Sequence, residues 1–369
     1  MRLTVARGAL LDSLGVATKA VSARTTLPIL SGVLVTASSE GVVLQATDLE
    51  VSVRSTVPAE VEAEGSAVLP GRLFADLVRR LPDVAVQLDS SGPDKITVSC
   101  RSEKAGEISF ELRTLSPDDF PRFPEVTPDS TATIPTGLLT TMVRQVGKAV
   151  SRDEARPILT GILLVMEGEE IRMVATDSYR LAVKTAAIEE PVAKRMEVIV
   201  PGKALDEVAK IAAGTDTVTL GVSENQVVFN VGTTVYVTRR IEGSFPNYRQ
   251  LIPSEGESSM VIDREELLEA IGRVSLLAQH NAPIRLKVGD STLTLTAATQ
   301  DVGEASESLM AETEGQPLEI GFNHSFLLDG VSAADEQRIS FVASGPLKPG
   351  VFRSGDAGEY TYLVMPVRP

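Results

Sequence analysis

The sequence is short of the residues that most catalysis and most extracellular or membrane architecture require. Its 369 residues include one cysteine, two histidines and no tryptophan, and only 4% are aromatic. With Cys100 alone no intramolecular disulfide can form, which fits a reducing cytoplasm, and the residue reads as part of a strand. His280, His324 and one cysteine at no ligand spacing give no zinc site. Gly202-Lys203 lacks the upstream glycine and following Ser/Thr of a phosphate-binding loop. The pairs Asp118-Asp119 and Glu169-Glu170 sit in polar, turn-like segments and read as solvated. No nucleophile with its base is visible, so no catalytic residue, metal or cofactor is expected. Few aromatic rings means few platforms on which single-stranded bases could stack. No apolar run approaches the roughly 20 residues of a membrane helix. Arg7 and Asp12 break any signal-peptide core after Met1.

What the chain has is acid. Fifty acidic residues against 35 basic give a net charge of −15, which by itself argues against nucleic acid as a partner. Net charge governs solubility and long-range steering, not the character of one face. The question is whether the basic residues are segregated.

An internal repeat organises the answer. Leu27-Pro28-Ile29-Leu30-Ser31-Gly32 leads through Glu40-Gly41 to Ala46-Thr47-Asp48. Arg156-Pro157-Ile158-Leu159-Thr160-Gly161 leads through Glu167-Gly168 to Ala175-Thr176-Asp177. Ala282-Pro283-Ile284 leads through Gly289-Asp290 to Ala298-Thr299-Gln300-Asp301. The three threonines lie 129 and 123 residues apart. Leu69-Pro70-Gly71-Arg72 recurs as Val200-Pro201-Gly202-Lys203 and loosely as Gly321-Phe322-Asn323-His324, and Phe120-Pro121 recurs as Phe245-Pro246. Three tandem α+β domains are expected, over residues 1–125, 126–252 and 253–369. Each should hold strand hairpins at the Glu-Gly and Gly-Asp turns, with strands such as Leu49–Val53, Val218–Val222 and Leu293–Leu295. Each should also hold two helices. Leu10, Leu14 and Ala17 mark the first in the leading copy, and Phe74, Leu77 and Leu81 mark the second.

On those helices the basic residues recur together. Arg72 and Arg79 are seven apart and share a face, and Lys203 and Lys210 repeat the spacing in the second copy. Arg144, Lys148 and Arg152 are spaced by four, and Lys19, Arg24 and Arg80 add to the set. A basic helical face inside an acidic protein is what an enclosed path for duplex DNA needs, since lysine and arginine neutralise phosphates without reading sequence.

At Ala175-Thr176-Asp177-Ser178-Tyr179-Arg180-Leu181-Ala182, Gly243-Ser244-Phe245-Pro246-Asn247-Tyr248-Arg249, Gly321-Phe322-Asn323 and Tyr362-Leu363-Val364-Met365-Pro366-Val367-Arg368 the chain resembles the bacterial β clamps of DNA polymerase III. The resemblance spans the whole chain. It implies three copies of a domain of two helices and two β-sheets, closed head to tail by a second chain into a six-domain ring. It implies a non-catalytic processivity factor, cytoplasmic at the nucleoid, with no membrane partner. The partners implied are double-stranded DNA, and polymerase subunits, clamp loader and repair proteins that dock by short linear peptides. DNA contacts would fall to Arg24, Arg72, Arg79, Lys148, Arg152, Arg156, Lys203 and Lys210. The dimer seam would use Phe110 and Leu112 on one side and Leu276 and Leu277 on the other. The peptide cleft would comprise Leu159, Thr176, Tyr179, Arg180, Leu181, Pro246, Gln250, Leu251, Asn323, Phe326, Leu347, Val364, Met365, Pro366, Val367 and Arg368. The loop at Arg156-Pro157-Ile158 lacks the family's adjacent tyrosines, and Gln250 stands where some relatives have arginine. Three rivals stand beside this reading, of which an enzyme on a repeated α+β scaffold would be favoured by a nucleotide or metal motif, and none is found. A trimer of two-domain chains would also reach six domains, and a purely protein-binding scaffold would be indifferent to the topology of DNA.

Overall fold

In every third of the chain a strand runs into a helix with at most one residue between them. The structure, a computed structural model, describes residues 1–22, 25–92, 94–104, 106–253, 255–278, 282–355 and 358–367. Among these, six α-helices form: α1 (Arg7–Ala17), α2 (Gly71–Arg80), α3 (Thr136–Gly147), α4 (Gly202–Ile211), α5 (Arg264–Ser275) and α6 (His324–Ala333). None is long and apolar enough to cross a membrane. α1 buries Leu10, Leu14 and Ala17, as their spacing predicts. α2 buries Phe74, Ala75 and Val78, leaving Leu77 half-buried. The helix starts at Gly71, and a 3.6-residue period puts 71, 74, 75 and 78 on the inner face.

The repeat is written into the backbone. Two residues after each repeated threonine the chain turns left-handed, at Leu49 (φ 77°), Ser178 (φ 80°) and Asp301 (φ 64°). In the first copy the Asp48 carboxylate accepts from the amides of Glu50 and Val51 at 3.0 and 2.7 Å, and the Thr47 hydroxyl donates to the Val51 carbonyl at 2.8 Å. These side chains hold a turn that leucine disfavours. The strand expected from Leu49 therefore begins at Val51. Gly32 and Gly161 are matched as well: a Cβ would lie 2.3 Å from Val68 Cγ1 in one and 2.4 Å from Ile199 Cγ2 in the other.

Two of the expected hairpin turns form. Glu40-Gly41 joins Gly32–Ser38 to Gly41–Thr47, and Asp290 and Ser291, both left-handed, join Ile284–Gly289 to Thr292–Thr299. At Glu167-Gly168 the extended backbone instead continues from Gly161 to Thr176. Its pairing with Arg180–Pro201 slips in register on either side of Gly168 (φ 58°). Glu169 and Glu170 thus belong to a strand rather than a loop.

The sheets are not confined to single repeats. The chain divides into two compact units, Met1–Thr136 with Glu207–Arg240, and Gly137–Asp206 with Ile241–Pro369. The first unit holds a five-stranded sheet, ordered Ala59–Ala63, Arg2–Ala6, Ala85–Gly92, Lys95–Ser102, Gly106–Arg113. It also holds an eight-stranded sheet in which Thr234–Arg239 of the second repeat pairs antiparallel with Val51–Val57 of the first, from Thr234 opposite Ser55 to Thr238 opposite Val51. The second unit holds a seven-stranded sheet. There Arg180–Pro201 of the second repeat meets Tyr360–Val364 of the third, from Arg180 opposite Val364 to Lys184 opposite Tyr360. It also holds a four-stranded sheet with Gly303–Met310 at one edge. All these pairings are antiparallel, and Cys100 is buried in the strand Lys95–Ser102, where burial raises its thiol pKa.

Candidate functional site

The turn at Thr176–Arg180 is held by several side-chain hydrogen bonds to its own backbone. The Asp177 carboxylate accepts from the amides of Tyr179 and Arg180 at 2.9 and 3.0 Å, and the Thr176 hydroxyl donates to the Arg180 carbonyl at 2.7 Å. Arg180 is thereby aimed inward, its side chain 11% exposed, donating to Asp177 at 3.0 Å and to Asp329 on α6 at 2.6 Å. Its guanidinium lies 4.4 Å from the centre of the Phe326 ring. Burial alone would pull its pKa down. Tyr362, Asp329 and Asp177 around it outweigh that and hold it above its usual value. Burial likewise pushes the Tyr362 and Tyr360 phenols above the tyrosine range, so they remain donors, to the carbonyls of Phe326 and Gly330, both at 2.9 Å. Gly330 lets α6 press on this strand, because a Cβ there would sit 2.2 Å from the Tyr362 ring.

Around this anchor the C-terminal segment is tied by main chain, the Met365 amide to the Tyr179 carbonyl and the Val367 amide to the Gly321 carbonyl, each at 2.8 Å. Asn323 caps α6 through the amides of Ser325 and Phe326. Of the cleft residues named from sequence, Tyr179, Pro246, Gln250, Leu251, Leu347 and Met365 are exposed, and Arg180, Asn323, Phe326, Pro366 and Val367 are partly so. Leu159, Thr176, Leu181 and Val364 are buried. Leu181 belongs to a core cluster with Leu163, Val174, Tyr248 and Leu363, against which Phe245 and Ile252 pack. That packing brings the Pro246–Leu251 segment to the same region. Leu347 has no described contact with the others, and Arg368 lies outside the described residues.

The basic residues are less uniform than their spacing suggests. Among the described residues Arg72, Lys148, Arg152 and Lys203 are exposed and enter no ion pair. Arg79 is paired with Asp76 at 2.5 Å, Lys210 with Glu207 at 3.2 Å and Arg156 with Asp153 at 2.9 Å, all exposed pairs of small worth. Lys19 also pairs with Glu207, at 3.1 Å. Arg144 does not join Lys148 and Arg152: it bonds Asp335 and the Ala333 carbonyl, to which Gln145 also donates. Arg24 lies outside the described residues.

At the open sheet edges, Phe110 is 44% exposed on Gly106–Arg113, with Leu112 buried beside it. Leu276 is 72% exposed, and Leu277 reaches to 3.9 Å from where a Cβ of Gly303 would be, at the start of the other edge strand. Val98 pairs with Phe110, Phe229 with Tyr236 and Phe352 with Tyr362. Phe110 therefore occupies the position of two tyrosines that the internal junctions leave 3% and 1% exposed.

Comparison with known proteins agrees with the threefold plan. Models of the N-terminal, central and C-terminal domains of the DNA polymerase III beta subunit match residues 1–124, 133–247 and 249–368. The chain belongs to the DNA polymerase III beta subunit family. Its relatives include the beta sliding clamps of Staphylococcus epidermidis and Staphylococcus aureus, 33% and 34% identical over all of this chain and 99% of theirs. Among solved structures, the sliding clamp of Bacillus subtilis superposes with a TM-score of 0.94 at 31% identity, over 100% of this chain and 99% of that one. The clamp of Pseudomonas aeruginosa bound to griselimycin gives 0.93 at 31% over the whole of both chains. As a member of the beta subunit family the chain is a non-catalytic sliding-clamp processivity factor of three tandem α+β domains.

Sequence reasoning missed three things at the site: Asp177 as the clasp of the turn, Asp329 as the second carboxylate on Arg180, and Tyr362 as the donor that ties its strand to α6. The repeated Thr-Asp pair, Thr47-Asp48 and Thr176-Asp177, was the available signal for the first. Asp329 lies 149 residues from Arg180, and no local pattern announces it.

Proposed function

We propose that two copies of this chain, each with domains spanning 1–125, 126–252 and 253–369, close head to tail into a ring around duplex DNA. The observation that carries the reading is which edges are open. Both internal junctions pair the strand after a Thr-Asp turn or its counterpart with the last strand of the next repeat. Among the described residues only Gly303–Met310 and Gly106–Arg113 have these roles without such a mate in the chain. Each is what the other lacks, and head-to-tail pairing leaves neither exposed. Val51 and Arg180 lie four residues past Thr47 and Thr176, as Gly303 does past Thr299. Carried to the seam, the register sets Gly303 opposite Leu112, Ala305 opposite Phe110 and Ser306 opposite Ser109.

Within such a ring Arg72, Lys148, Arg152 and Lys203, with Arg24, Arg79, Arg156 and Lys210, would meet phosphates. Contacts of that kind carry no base readout and oppose sliding little. Polymerase subunits, clamp loader and repair proteins would insert short peptides among Tyr179, Arg180, Phe326, Leu251 and Met365, where apolar walls surround a fixed guanidinium. Met365 adapts to different anchors. Such a protein works in the cytoplasm, at the nucleoid.

Retention on DNA tests the reading. Loaded clamp is expected to stay on nicked circular duplex through gel filtration and to leave once the circle is cut; equal retention on both would refute it. Reversing Arg24, Arg72 and Lys203 to glutamate should lower retention on the circle. It should also flatten the dependence of log K on log salt by about 0.9 for each phosphate no longer neutralised. The seam register has its own check. Opposed strand residues lie about 4.5–5.5 Å apart, within disulfide range. Ser109→Cys with Ser306→Cys is thus expected to give a covalent dimer on oxidation. A dimer that sediments normally but does not cross-link would show the register to be different.

A further inference from the structure

We propose that Arg156 couples the two ligands of the clamp. The guanidinium offered to a DNA phosphate also holds Ser178 in the turn of the peptide cleft, so peptide binds more tightly to a clamp on DNA. This rests on the ring reading above and is tested so that the two can fail separately.

The link is made by one side chain. Arg156 donates through Nε to the Asp153 carboxylate at 2.9 Å and through Nη1 to the Ser178 hydroxyl oxygen at 3.0 Å. Among the described residues Nη2 has no partner, so its two donors are left for a phosphate, with both existing bonds kept. Asp153 is itself fixed: its carboxylate accepts from the Ala155 amide at 3.0 Å and its amide donates to Ser151 Oγ at 3.1 Å. At the other end, Ser178 stands at φ 80°, a conformation that side chains disfavour. The next residue, Tyr179, lends its carbonyl to the Met365 amide, and Arg180 follows with its contacts to Asp329 and Phe326. What steadies Ser178 steadies the cleft residues on either side of it.

The other copies lack this link. In the first, Leu27 and Leu49 hold the places of Arg156 and Ser178, each about half exposed and without a side-chain donor. In the third, the places fall to Ala282 and Asp301, and alanine has nothing to donate. Among the described residues, only the copy that carries the peptide residues ties its basic loop to its Thr-Asp turn.

Ordering a long arginine side chain costs entropy, and the first ligand to fix it bears most of that cost. A phosphate on Arg156 leaves less to be ordered when a peptide engages the turn. By linkage the peptide strengthens the phosphate contact by the same factor. The coupling is limited to the worth of one exposed hydrogen bond, about 5-fold in affinity.

The test measures the affinity of a fluorescent polymerase-tail peptide for the full chain, free and loaded on nicked circular duplex. Fluorescence anisotropy gives both dissociation constants for the unaltered chain, for Ser178→Ala and for Ser178→Gly. The ratio of free to loaded value is expected to be about 5-fold higher in the unaltered chain than in either variant. Comparing ratios removes any general effect of DNA charge on the peptide, because neither variant changes charge. The glycine variant separates loss of the hydroxyl from backbone strain, since glycine takes a positive φ freely. All three chains are expected to stay on the circle, and melting curves confirm that each folds. Equal ratios in the unaltered chain and the variants would overturn the coupling while the ring stands. Loss of the unaltered chain from the circle would overturn the ring and the coupling together.

Discussion

Replacing Phe110 with aspartate is expected to raise the dimer dissociation constant by about four orders of magnitude while each protomer stays folded. Covering the 44% of Phe110 that the protomer leaves exposed is worth about 1.3 kcal/mol, and leaving an unpaired carboxylate in an apolar seam costs about 2 kcal/mol more; over two identical seams the sum of about 6 kcal/mol is about 10⁴-fold. The protomer tolerates the change because Phe110 is already 44% exposed. Its counterparts Tyr236 and Tyr362 could not be changed so lightly, since they are buried within their units. The variant should lose retention on circular duplex and keep its affinity for a polymerase-tail peptide. The peptide residues all lie in the second unit of a single chain. A variant that remained dimeric at nanomolar concentration would remove Phe110 from the seam.

The second large effect is expected at Arg180. Arg180→Met removes both ion pairs and the contact with Phe326, leaving Asp177 and Asp329 without their cation. Breaking a largely buried pair by removing one member costs about 3 kcal/mol. At about 2–4 °C per kcal/mol for a unit of this size, the second unit should melt about 6–12 °C lower by differential scanning calorimetry. Peptide binding should fall too, because the guanidinium orients the turn that carries Tyr179, whose carbonyl holds Met365. Adding Asp329→Leu should restore part of the stability, since a buried ion pair can be replaced by apolar packing. It should not restore peptide affinity. Full recovery of both would mean that Arg180 serves only the fold.

Much of the architecture was legible in the sequence because it is periodic. The Pro-Gly-Arg/Lys helix starts and the Thr-Asp turns recur, and a feature read in one copy could be checked in the next. Where copies diverge, legibility fails. The Glu167-Gly168 turn resembles Glu40-Gly41 in letters, yet the strand runs on through it, its register slipping about a left-handed Gly168. Leu49 reads as strand by its alternation but sits in the left-handed turn, because Thr47 and Asp48 bond the following amides and carbonyl. Spacing joined Arg144 to Lys148, but helical spacing cannot reveal that Asp335 waits opposite one and not the other. Resemblance named the cleft residues, but only the coordinates separate the accessible Tyr179 and Met365 from the buried Leu181 and Val364. The sharing of sheets between repeats was not foreseeable from one copy's pattern.

That sharing has a consequence for how such a chain could be divided. Each internal junction is a ladder of main-chain hydrogen bonds, so a repeat excised at its sequence boundaries would be torn along a strand pair. It would carry away one side of an eight-stranded or seven-stranded sheet, with a bare margin competent to capture another copy. Monomers with two such sticky margins polymerise unless the turn per step closes the circle. Gene rearrangements that drop a single copy would therefore risk fibres, and the smallest portable piece of this protein is larger than the motif that its sequence repeats.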